Sequence, residues 1–86
     1  MDMKVNVFIL PQKSVSPQVV YTEADAEKDA SYARMLKIIA RGVELAERKK
    51  SKKCDISIDA ERHKIPALKK LLERKGYSVF VQGVYV

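Results

Sequence analysis

The sequence predicts an α/β domain of two layers, and three observations predict it. Apolar, often β-branched residues alternate with polar ones in three short runs, around Val5, Ile56 and Val79. A long stretch between the first two runs has the 3-4 spacing of an amphipathic helix. A Leu-rich segment between the last two has Pro near its start and Gly just past its end. The expected order is β(β)αβαβ: a three- or four-stranded mixed sheet, one long helix and one short helix.

Each element has its own warrant. Lys4 to Leu10 carries Val5, Val7 and Ile9 in alternation, and Pro11 is expected to stop the strand. The stretch PQKSVSPQ reads as a loop, after which Val19, Val20 and Tyr21 could form a second strand or pack beside the helix start. Thr22 followed by Glu23, Ala24 and Asp25 has the spacing of a capping box, with acids at the positive end of the helix dipole. From Thr22 the helix is expected to run to about Lys50. Tyr32, Leu36, Ile39, Val43 and Ala46 form its apolar row, and Met35, Ile38 and Leu45 widen the arc. Such a helix would be roughly 40 Å long against about 23 Å for a seven-residue strand, so it must overhang its sheet or bend.

After the turn RKKSKK, Cys54, Ile56 and Ile58 alternate with Asp55, Ser57 and Asp59, giving a strand with one apolar and one polar face. Pro66 opens the short helix, Leu68, Leu71 and Leu72 line one side, and Gly76 with Tyr77 closes it. The final strand alternates Val79 and Val81 with Ser78, Phe80 and Gln82, and Gly83 marks a bulge or a turn.

Composition bounds the function. With 86 residues the chain makes one domain, and 47% hydrophobic with 33% charged residues is a folded, globular balance. No apolar run approaches the roughly 18 residues of a membrane span, which leads us to expect a cytoplasmic protein. Its single cysteine has no partner for an internal disulfide. The net charge of +6 is uneven: residues 1–33 carry 3 basic and 5 acidic side chains, residues 34–86 carry 14 and 6. The positive field therefore comes from the second half of the long helix and from the residues C-terminal to it.

A helix ending in a basic turn, a short strand, a Leu-rich helix and the run ERKGYSVFV form a pattern from about Ile38 to Val81. This pattern resembles small bacteriophage-encoded α/β accessory proteins of unknown function. The resemblance implies a phage source and a role in host takeover or against host defence, and it brings no active-site residue with it.

The chemistry-bearing residues are sparse. Asp59, Glu61 and His63 have the two-residue interval of ligands along an extended strand, yet they fall at a strand-to-helix junction where polar residues are expected, and we assign no metal there. Cys54, on the Ile56 side of its strand, is expected to be a buried small hydrophobe. One histidine and one cysteine without an orienting third group, and three scattered glycines, supply neither a nucleophilic constellation nor a phosphate loop. We expect no enzyme and no cofactor.

Two surfaces remain. If the alternating apolar residues face the helices, Phe8 and Phe80 lie on the other side of the sheet among polar neighbours, as a protein-binding patch or a base-stacking platform. With Met35, Ile38 and Leu45 they are the candidates for binding a protein partner, from the host or as a homodimer. Arg34, Lys37, Arg41, Arg48, Lys49, Lys50, Lys52 and Lys53 are the candidates for the alternative, a basic nucleic-acid-binding regulator with weak, sequence-independent association. Cations at a helix C-terminus also complement its dipole without any ligand.

Overall fold

The structure is a computed structural model that describes residues 3–15 and 20–82. Strand β1 (Lys4–Gln12) leads to helix α1 (Glu23–Glu27) and helix α2 (Ala30–Arg48); strand β2 (Lys53–Glu61) then passes through a 3-10 turn (Arg62–Lys64) into helix α3 (Ile65–Arg74) and strand β3 (Ser78–Val81). The sheet has the order β2-β1-β3, and both pairings are parallel. The α/β class therefore stands, while the expected mixed sheet is corrected to a parallel one. Val20 and Tyr21 are not in a strand among the described residues, and Val19 and Gly83 lie outside them.

The alternation in the sequence sorts the strands into two faces. Val5, Val7, Ile9, Cys54, Ile56, Ile58, Ala60 and Val79 are buried in one core with Tyr32, Met35 and Ile39 of α2 and Leu68, Leu71 and Leu72 of α3. Asp55, Ser57, Asp59 and Phe80 on the opposite face are exposed. All helices thus cover the same face, and the shortest dimension, 17 Å, has room for one sheet and one helix layer. The chain moves from β1 to β2 in one direction along the sheet and from β2 back across β1 to β3 in the other. With both connections on one face, the two crossovers have opposite hands, so one of them departs from the usual right-handed rule.

Two local features differ from expectation, each for a physical reason. The long helix is broken at Lys28 and Asp29 because Asp29 caps a second helix, its side chain accepting the Ser31 N–H at 2.8 Å. Upstream, the Thr22 capping box is present, with Thr22 accepting from the Asp25 N–H and Asp25 from the Thr22 N–H. Pro11 does not stop β1, which pairs with β2 as far as Gln12 opposite Glu61. The Lys4 N–H donates to Lys52 and the Ile9 carbonyl accepts from Gln82, so odd-numbered residues of β1 turn their backbone groups toward β3. Pro11 follows beyond Ile9, the last residue of β1 that pairs with β3 among the described residues, so no described strand needs its missing donor.

Both longer helices end in Schellman motifs. At α3, Gly76 has φ 93°, its N–H donates to Glu73, and the Tyr77 N–H donates to Leu72. At α2 the same two bonds run from Lys50 to Glu47 and from Ser51 to Ala46, but the left-handed position, φ 57°, holds a lysine.

Candidate interaction surface

The uncovered sheet face is built by the outward residues of all three strands. At its centre Phe8 of β1 and Phe80 of β3 are register neighbours, and their rings stack at 5.3 Å with 21° between planes. Phe80 keeps 47% of its surface exposed and Phe8 is half-buried; Leu10, further along β1, is also exposed. Polar groups surround this apolar centre. Asn6 donates to Asp55 at 2.8 Å, and its own Oδ1 is shielded from solvent with no partner among the described residues. Two layers of helices normally bury a parallel sheet, so a parallel sheet with one bare face is an exception to the packing rule.

Most of the cationic candidates lie away from the phenylalanine pair, although Lys53 shares the bare face with Asp55, Ser57 and Asp59. Arg34, Lys37, Arg41 and Arg48 are exposed on α2, and Lys49, Lys50, Lys52 and Lys53 come next, in the turn and at the first residue of β2. Arg48 is paired with Glu44 at 2.7 Å, an exposed i,i+4 bridge of little energetic weight. The helix layer separates most of this charge from the phenylalanine pair, so the two do not build one basic stacking groove. Met35 is corrected: at 4% exposure it belongs to the core, where it packs as the turn between Tyr32 and Ile39 requires. Ile38 and Leu45 are each 42% exposed on the flank of α2 that leans toward β2.

A polar knot at the carboxyl end of the strands has no counterpart among the sequence expectations. Asp29 accepts from Tyr21 Oη at 2.6 Å and from Lys64 Nζ at 2.9 Å in addition to its capping bond. Lys64 also reaches Glu61 at 3.1 Å, whose other oxygen accepts the Val15 N–H. The Tyr21 hydrogen bond, helped by Lys64 and the Ser31 N–H, holds the Asp29 carboxyl well below the usual carboxylate range. Burial, then the Asp29 carboxylate, raises the Tyr21 phenol, and the same carboxylate raises Lys64. The sequence signal is Asp29 itself, a capping residue just before the first apolar-periodic position, Tyr32.

His63 and Glu61, two of the three residues with ligand-like spacing, are engaged in this knot or beside it. His63 Nδ1 lies 2.7 Å from Ser14 Oγ and its ring meets Tyr21 edge-on, while Asp59 points to the bare face. No group of three possible metal ligands occurs among the described residues. The crevice beside the knot, between Ser31, Met35, Glu61, Lys64 and Leu68, holds about 190 Å³. Carboxyl ends of parallel strands often receive ligands, but this space is below the roughly 300 Å³ of small-molecule sites, and of the charged groups lining it Glu61 and Lys64 are bonded to each other while Asp59 has no ion-pair partner among the described residues. Cys54 is buried, and burial raises its thiol.

These features define a small two-layer α/β protein in which the described residues leave one sheet face bare. Comparison with protein-family models, with curated proteins and with solved structures finds no match. No helix among the described residues is long and apolar enough to cross a membrane.

Proposed function

We propose that this chain is a non-enzymatic interaction protein whose working surface is the bare sheet face, and that the occupant is an amphipathic helix of a protein partner. The observation that carries this reading is the stacked Phe8–Phe80 pair at the centre of that face. A helix is the element that covers parallel sheets elsewhere, and an apolar centre ringed by polar groups matches the stripe such a helix presents. Aromatic anchors near the middle of a patch are where binding energy concentrates. On the resemblance to phage accessory proteins, the partner is a host protein in the cytoplasm, and the role is interference with a host process. The nucleic-acid reading is second because most of the cations, Lys53 excepted, fall on a different side of the chain from the aromatic pair.

The test is capture from host lysate after nuclease treatment, with the wild type and a Phe8→Ser/Phe80→Ser variant whose fold is checked by melting. The expected result is a nuclease-resistant partner retained at raised salt and lost with the variant. A folded variant that keeps its partner would clear the sheet face, and binding that collapses steeply with salt would transfer the function to phosphate contacts.

A further inference from the structure

The geometry points to a second copy of this chain as the occupant of a different surface, the outer edge of β2 together with the flank of α2. The inference does not rest on the proposed function, since it uses neither phenylalanine. β2 is an edge strand of nine residues, and no strand pairs with its outer side among the described residues. Long open edges of this kind are templates for another strand. The Lys4 bond to the Lys52 carbonyl turns even-numbered residues of β2 inward, so Lys53, Asp55, Ser57 and Asp59 present their backbone donors and acceptors outward.

Charge decides the register. A two-fold axis at Ile56, with the copies antiparallel, sets Lys53 opposite Asp59 of the second copy, twice by symmetry, and Asp55 opposite Ser57. Moving the axis one residue either way sets Asp55 against Asp59 or against itself, which like charges disfavour. Lys53 and Asp59 are both exposed, and neither has an ion-pair partner among the described residues. At Ile56 every outward backbone group from Lys53 to Asp59 finds a partner, and the side chains of both copies keep to their own faces.

The helix agrees with the strand independently. A Cβ on Gly42 would lie 3.0 Å from Ile56 Cδ1, so Gly42 marks where α2 crosses the proposed axis. Ile38, four residues before it, lies by Ser57 and Asp59, and Leu45, three residues after it, lies by Lys53 and Asp55. The axis therefore brings Ile38 of each copy toward Leu45 of the other, while Gly42, whose missing side chain faces Ile56 and Cys54 of its own strand, seats α2 close to β2. The product is a continuous six-stranded sheet whose two bare faces lie on the same side.

Charge reversal with mixing tests this. Light scattering of the wild type is expected to give twice the chain mass of 9.8 kDa. Lys53→Asp alone and Asp59→Lys alone should each run at the single-chain mass with unchanged circular dichroism. Mixing the two variants, or combining both changes in one chain, restores the opposite-charge pairs and should restore the doubled mass. Leu45→Glu, on a different element, should also halve the mass and should not be rescued by mixing. A wild type that stays monomeric at its highest soluble concentration overturns the proposal, as does a dimer that folded single-charge variants leave intact or that mixing does not recover.

Discussion

One face of the sheet is a core and the other is a surface, although the same three strands build both. On the covered side, Val7, Ile9, Ile39, Leu68 and Leu72 lose nearly all contact with water. On the bare side, the most apolar position, Phe80, loses only about half. The difference is produced by connection geometry: both crossovers return over one face, so helices that could have covered two faces cover one twice. A strand pattern of two-residue period thus decides which residues share a face, while the path of the chain decides which face is filled.

The sharpest way to break this contrast is to delete side chains on both faces. Leu68→Ala, at a fully buried position, should cost about 3 kcal/mol in urea titration, within the roughly 2–5 kcal/mol usual for such a change. Phe80→Ala should cost only about 1 kcal/mol, mostly the stacking on Phe8. Equal losses would mean that the second face is covered after all.

The polar knot tests how the helix layer is held to the strands. Asp29→Ala removes a cap and leaves Tyr21 and Lys64 without their shared acceptor, and about 2 kcal/mol of destabilisation is expected. Acid should act the same way on the wild type. Because the folded Asp29 and Glu61 carboxyls are held below their unfolded values, their contribution is complete above about pH 4 and fades as pH falls toward the folded values. Tyr21 and Lys64 are raised in the folded state, so their contribution is complete below about pH 10 and fades above it. Melting temperature against pH should show a plateau between these limits. In Asp29→Asn the acid side of that plateau should flatten; an unaltered acid limb would mean that the knot does not set acid stability.

The smallest effects concern the helix ends that feed β2 and β3. Lys50→Gly relieves a left-handed lysine and should stabilise by about 1 kcal/mol. Gly76→Ala, where nothing lies within 4 Å of the added carbon, should cost about as much through backbone conformation alone. Opposite signs in paired thermal melts would sharpen the view that these two turns do the same job with different residues.

Much of this is legible in the residues. Alternation places Phe8 and Phe80 opposite the core, the Thr22–Asp25 spacing locates the first cap, and Gly76 locates the end of α3. Strand direction is not legible, because alternation is identical in parallel and antiparallel strands. The break at Asp29 is hidden because its stabilising partners, Tyr21 and Lys64, come from outside α1 and α2. Pro11 misleads because its tolerance depends on where β3 ends, a fact about a strand far along the chain. Met35 looks like surplus apolar surface, although its spacing from Tyr32 and Ile39 puts it on the core stripe; Ile38 and Leu45 are the true margin.

The register of β1 also sets a timetable. Its Asn6 pairs with Asp55 on one side and with Ser78, 72 positions along, on the other. Of the three strands the interior one is therefore translated first and completed last: its apolar residues wait through α1 and α2 for β2, and through α3 as well for β3. Loop closures of that length are slow relative to local helix formation. α2 and α3 can form in microseconds, whereas the sheet that gives them something to cover assembles only when distant segments meet. During that interval the nascent chain exposes an unpaired Val-Ile strand, the form most prone to associate with the wrong neighbour.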